Sequence, residues 1–132
     1  MVDLAQVKNR LAQLGYEVKD ADLPKLEYET QLILDYVVNY CNFTSADEIP
    51  EILDKRIIDR ICAEYLFTQK NAGTLEGFDY ETAIKTIKEG DTQIQFGTQS
   101  DGETPESRFD KLVDYLNRGF DKWICKWRRL KW

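Results

Sequence analysis

Apolar residues recur at helical spacing along most of this chain. Leu53, Ile57, Ile61 and Tyr65 follow one another at four-residue steps, and Ile58, Cys62 and Leu66 form a second row beside them. Two adjacent rows make a wide apolar face, which predicts a central core helix touched by several neighbours. Pro50 fits the first turn of that helix, where its missing N–H costs nothing. The positions between the rows are charged, with Glu51–Lys55, Lys55–Asp59 and Arg60–Glu64 as opposite-sign pairs at helical spacing.

The same reading extends in both directions. Asp3 predicts the cap of a first helix with Leu4, Val7, Leu11 and Leu14 on its inner face, and Gly15 predicts its stop. Residues 16–19 read as an extended connector. Asp20 and Asp22 offer an N-cap, with Pro24 at the start of a second helix that carries Leu26, Ile33, Leu34, Val37, Val38, Tyr40 and Cys41 and ends near Asn42. A polar loop follows, then the central helix, expected to end near Gln69 with Asn71, Ala72 and Gly73 as the breaker. Asp79 predicts the cap of a shorter helix carrying Tyr80, Ala83, Ile84 and Ile87.

The period then changes. Thr92, Ile94 and Phe96 alternate with polar residues, which predicts a strand or extended arm over 90–97. A lone strand needs an edge to pair with, either residues 16–19 or another copy of the chain. Residues 98–103 are polar. Thr104, Pro105 and Glu106 open a last helix whose stripe runs through Phe109, Leu112, Val113, Leu116 and Phe120, and onward through Trp123, Ile124, Trp127 and Leu130. The expectation is a mostly α fold: a small bundle of about five helices, with one short extended β arm before a long C-terminal helix. Residues 1–121 form the helical domain, and 122–132 a basic aromatic tail that continues the last helix and projects from it.

Charge changes this picture more than composition does. The chain carries −6 overall, yet residues 122–132 contain Lys122, Lys126, Arg128, Arg129 and Lys131 and no acid, leaving −11 on the rest. No apolar run approaches the roughly 20 residues that span a bilayer. The N-terminus lacks a signal core, so a protein that stays in the cytoplasm where it is made is expected. Cys41, Cys62 and Cys125 are odd in number and widely spaced, which suggests reduced thiols.

The chain has no histidine. Its commonest general base and metal ligand are therefore missing, no Cys-x-x-Cys pair supplies zinc ligands, and no glycine loop has phosphate-binding spacing. The acids lie at caps and on solvated faces. No catalytic residue, metal or cofactor is expected. Binding chemistry concentrates in Trp123, Trp127, Arg128, Arg129, Lys131 and Trp132, residue types that dominate interface hot spots. Four readings compete: a protein partner, an anionic membrane, nucleic acid, or tryptophans that finish the core. The acidic body disfavours the membrane and nucleic acid.

Three stretches together resemble a known family. They are the Ile49-Pro50-Glu51-Ile52-Leu53 helix start with its continuation to Phe67, the segment Phe78-Asp79-Tyr80 through Ile87-Lys88-Glu89-Gly90-Asp91-Thr92 with the alternation after it, and the Thr104-Pro105-Glu106-Ser107-Arg108-Phe109 opening. The chain resembles the small head–tail connector (adaptor) proteins of long-tailed bacteriophages and prophages over nearly its whole length. The resemblance implies a noncatalytic virion-neck subunit, made in the host bacterial cytoplasm. Such subunits form a ring with neighbouring copies, bridge the portal protein to the stopper or tail-completion protein, and extend a channel through which DNA passes without sequence-specific binding. It implies portal contacts from Trp123, Trp127, Arg128, Arg129, Lys131 and Trp132, and subunit contacts from Ile94 and Phe96. A negative lining suits such a channel, because a positive one would hold the phosphates. The alternative is a small nucleic-acid-binding or regulatory protein that uses the basic Trp-rich tail.

Overall fold

The computed structural model describes residues 2–72 and 105–129, and these are mostly helical with no strand among them. The expected short helix after Asp79, the arm with Ile94 and Phe96, and the loop 98–103 lie outside the described residues.

Helix α1 (Leu4–Gln13) starts at a capping box: Asp3 Oδ1 accepts from the Gln6 amide at 2.9 Å and Gln6 Oε1 accepts from the Asp3 amide at 2.9 Å. Val7, Leu11 and Leu14 are fully buried. The chain leaves α1 through Gly15 at φ 90°, where the Tyr16 amide donates to the Leu11 carbonyl and the Gly15 amide to that of Ala12. This paired closure needs a left-handed residue, which explains the glycine.

Helix α2 (Leu23–Cys41) has Pro24 in its first turn and buries Leu26, Ile33, Leu34, Val37 and Cys41, as the pattern predicts. Its cap differs from the expectation. The Asp22 carboxylate does not cap α2; it accepts from the Lys19 amide at 3.1 Å and the Tyr16 hydroxyl at 3.0 Å. Tyr16 is drawn there because its ring is buried edge-on against Tyr65, centroids 5.7 Å apart. Helix α2 ends at Asn42, whose φ of 59° lets the Phe43 amide reach the Val38 carbonyl at 3.0 Å.

The central helix starts later than the sequence suggests. Pro50 has extended geometry (φ −62°, ψ 139°) and precedes a 3-10 turn, Glu51–Leu53, so that α3 spans Asp54–Asn71. Proline satisfies the φ of either structure, so its presence could not distinguish them. The turn buries Leu53 completely and leaves Ile52 67% exposed. Within α3, Ile57, Ile61, Cys62, Ala63, Tyr65 and Leu66 are fully buried, and the helix meets every other α-helix described here.

Helix α4 (Pro105–Asn117) lies along α3, burying Phe109, Leu112, Val113 and Leu116, with the Lys70 ammonium 4.4 Å from the Phe109 ring centroid. The long projecting helix expected here does not form. Gly119 at φ 68° breaks it, and α5 (Phe120–Cys125) follows as a separate short helix. A Cβ on Gly119 would meet the Trp123 ring at Cδ1 (3.5 Å) and Nε1 (3.9 Å), both ordinary contacts, so backbone conformation rather than space requires the glycine. The chain turns out of α5 at Lys126 and Trp127 and lies back on the domain as far as Arg129. Beyond residue 122, Ile124 is fully buried in the common core. Cys41 and Cys62 are buried free thiols, and Cys125 is free and exposed.

Candidate functional site

Helix α5 lies beside α2 and α3. The Cys41 thiol points at the Ile124 carbonyl at 3.4 Å, and the Tyr36 hydroxyl donates to Asp121 Oδ1 at 2.8 Å. Tyr36 also stacks near Phe120 and Tyr40, with centroids 6.2 and 5.9 Å away. From α3, Arg60 donates to Asn117 Oδ1 at 2.8 Å and stands over the Phe120 ring, and Arg56 stands 4.7 Å from the Trp123 centroid. Directed cation–π and hydrogen-bond contacts therefore surround two apolar anchors, Phe120 and Ile124.

Beyond α5 the chain is held at Arg129. Its amide donates to the Cys41 carbonyl at 2.8 Å, and its carbonyl accepts from Asn42 Nδ2 at 2.6 Å. Its guanidinium pairs with Glu48 at 3.0 Å and lies over the Phe43 ring at 4.9 Å. The Cys41 carbonyl is among those that α2 leaves unsatisfied at its negative end, so a donated N–H with a positive side chain nearby is the matching partner. The Thr44 amide, first, and then Arg129 hold the Glu48 carboxyl below its usual range.

The residues singled out in the tail thus divide. Trp123 is half-buried between helices and Arg129 is the clasp, so both serve the fold of the domain. Arg128 lies 5.4 Å from the Tyr40 centroid, and Trp127 is 40% exposed. Lys131 and Trp132, like Ile94 and Phe96, lie outside the described residues.

Sequence reasoning passed over two surfaces. One is the row Tyr28, Leu32 and Tyr36 on α2, respectively 67%, 44% and 41% exposed. The signal was available: three large apolar residues at four-residue steps, offset from the core face of the same helix. The other is Ile52, exposed by the 3-10 turn. Beside the α2 row, Glu29 is buried with its Oε2 unpartnered. Burial first, and then the charge of Glu64, push its carboxyl up, with Thr68 opposing. Open depressions elsewhere, such as that lined by Gln6, Arg10, Lys55 and Asp59, are bordered by structural polar contacts, here the Arg10–Asp59 pair at 2.8 Å.

Among the described residues no helix is long and apolar enough to cross a membrane, and no cluster of three or more metal-ligating side chains occurs. No protein-family model, curated protein or solved structure matches this chain.

Proposed function

We propose that this protein is a structural subunit of the neck of a long-tailed phage. It acts in the virion, forming a ring of identical copies that joins the portal protein to the stopper or tail-completion protein and extends the DNA channel, with no catalytic role. The observation that carries the reading is the resemblance in residues 49–67, 78–96 and 104–109. A helical body with exposed aromatic surfaces and a cationic C-terminal end also suits an assembly protein. The −11 charge on residues 1–121 suits a channel that lets DNA slide. The same proposal gives portal contact to Trp123, Trp127, Arg128, Arg129, Lys131 and Trp132, of which Arg129 also clasps the end of α2 and Trp123 stands against Arg56. Contacts between neighbours through Ile94 and Phe96 belong to the same proposal.

Negative-stain electron microscopy of the protein mixed with the portal protein of the same genome tests this reading. The expected result is a ring of added density on the portal, reduced by Arg128→Glu and in a chain ending at Arg129. Removing all of 122–132 would be a poor control, because it takes Ile124 out of the core. A folded protein that adds no density overturns the proposal. The nucleic-acid alternative draws on the same cationic end. It predicts a salt-dependent gel shift, which the neck reading does not.

A further inference from the structure

The end of α2 brings two cysteines from distant parts of the chain together. The Cys41 thiol points at the Ile124 carbonyl at 3.4 Å, and the Cys41 carbonyl accepts from the Arg129 amide at 2.8 Å. Both polar groups of this residue therefore lie against the C-terminal segment. The Ile124 carbonyl belongs to the peptide unit that leads into Cys125, so the Cys125 Cα lies within roughly 6 Å of the Cys41 sulfur. Cys125 ends α5, and its thiol is exposed beside the Tyr40 hydroxyl. A disulfide needs Cα atoms about 4.4–6.8 Å apart, so bonding asks the Cys125 side chain to turn inward and the last turn of α5 to shift by roughly 2 Å. Directed contacts hold much of this segment, which makes a small shift cheaper here than in the packed core.

The two thiols differ in access. Cys41 is fully buried; burial first, and then the neighbouring Cys125, push its thiol up, with Arg128 opposing. Cys125 is the one that a dissolved reagent can reach. Cys62 faces α1, with its sulfur 4.0 Å from the Val7 carbonyl, and burial pushes its thiol up as well. It provides an internal control.

We propose that Cys41 and Cys125 are a disulfide site: under oxidising conditions they join and lock the C-terminal segment onto the end of α2. The reaction is exchange with a small-molecule disulfide such as oxidised glutathione. The Cys125 thiolate attacks one of its sulfurs, forming a mixed disulfide and releasing one glutathione thiolate. The last turn of α5 then moves inward. Cys41 gives its proton to solvent and its sulfur attacks that of Cys125, expelling the second glutathione thiolate. Both expelled thiolates take up protons. Two protein thiols are oxidised by two electrons, and one small disulfide is reduced to two thiols. The new bond closes the chain between α2 and α5, so it restrains opening of the segment. Its biological timing rests on the neck reading: a subunit assembled in a reducing cytoplasm meets oxidising conditions once the virion is outside the cell. The locked segment carries Trp127 and Arg128, so the bond sets proposed portal contacts after they have formed.

The test treats the full reduced chain with oxidised glutathione, alkylates the remaining thiols in denaturant and maps the peptides by mass. The expected result is Cys41 joined to Cys125 within one chain and Cys62 alkylated. Exchange at the Trp127 and Arg129 amides, which donate to the Ile124 and Cys41 carbonyls, is expected to slow at least about tenfold. Dithiothreitol should reverse both changes. Cys125→Ser alters an exposed position, with circular dichroism to check the fold, and is expected to leave Cys41 and Cys62 reduced and exchange unchanged. A glutathione adduct that stays on Cys125, a Cys125–Cys125 link between chains, a bond to Cys62, or a Cys41–Cys125 bond without slower exchange overturns the proposal. The portal assay keeps the two readings apart. A protein that forms the bond yet adds no density to the portal retains the lock and loses the neck; density without the bond does the reverse.

Discussion

The two sides of α3 are held by different physics. Toward α1, α2 and α4 the helix presents Ile57, Ile61, Cys62, Ala63 and Leu66, all without solvent exposure. Burial of this kind is non-directional and scales with area. Toward α5 it presents Arg56 and Arg60, which act through aromatic faces and one amide. Such contacts are individually worth about 0.5–2 kcal/mol and depend on geometry. The C-terminal segment is therefore attached through two buried side chains, Phe120 and Ile124, and a set of directed bonds, and it should open at lower free energy than the helices around the other face.

The largest effect is expected from Leu66→Ala, which empties a fully buried site on α3 and should cost about 3–4 kcal/mol in urea unfolding. Ile124→Ala should cost about 2–3 kcal/mol, with amide exchange rising first in residues 120–129 and α1–α3 keeping their protection. Equal loss of protection everywhere in the Ile124 variant would break the comparison, making α5 as integral as α4.

A finer cut is available at Asn42, which has two roles at once: a left-handed backbone and an amide bond to the Arg129 carbonyl. Asn42→Ala loses both and should cost about 1 kcal/mol or slightly more, since alanine resists positive φ. Asn42→Gly keeps the conformation and loses the bond, and should stay within about 0.5 kcal/mol of the parent. Exchange at the Arg129 amide should rise in both variants. If only the alanine variant loosens Arg129, the clasp depends on how α2 ends and not on the Asn42 side chain.

What the sequence revealed was local. The Asp3 cap, the stop at Gly15, the bounds of α2 and the two buried rows of α3 all follow from residues within a turn or two of each other. The misses share a different cause. The apolar stripe from Phe109 through Phe120 to Ile124 keeps its spacing across Gly119, so periodicity could not register the break at φ 68°. Asp22 has the cap-forming residue type, but Tyr16, fixed by burial against Tyr65, claims its carboxylate. The clasp at Arg129 joins positions 87 and 88 residues apart in the chain, Asn42 and Cys41, and no pattern along the sequence encodes it. The basic aromatic tail was legible as unusual, yet the division between Trp123 and Arg129, spent on the fold, and Trp127, left outside, comes only from tertiary contacts.

The smallest effect expected concerns Glu29, a buried acid on the apolar side of the comparison. Glu29 faces Glu64 and Thr68 of α3, and burial with the Glu64 charge raises its carboxyl above the ordinary 4.5. The folded protein therefore binds this proton more readily than the unfolded chain. The contribution of Glu29 to stability is full below pH 4.5, and it is lost as pH rises through the raised folded value. Glu29→Gln has nearly the same shape and no charge to desolvate or to oppose Glu64. It should be slightly more stable than the parent at pH 7, with the two unfolding curves converging below pH 4.5. Parallel pH profiles for the two proteins would mean that the carboxylate is hydrated in solution and that the α2–α3 seam is wet at this point. The contrast between a dry and a directed side of α3 would then hold only from Ile57 to Ile61, beyond the reach of Glu29. Convergence would instead leave Glu29 as a buried acid without a base, standing directly beside the row that includes Leu32.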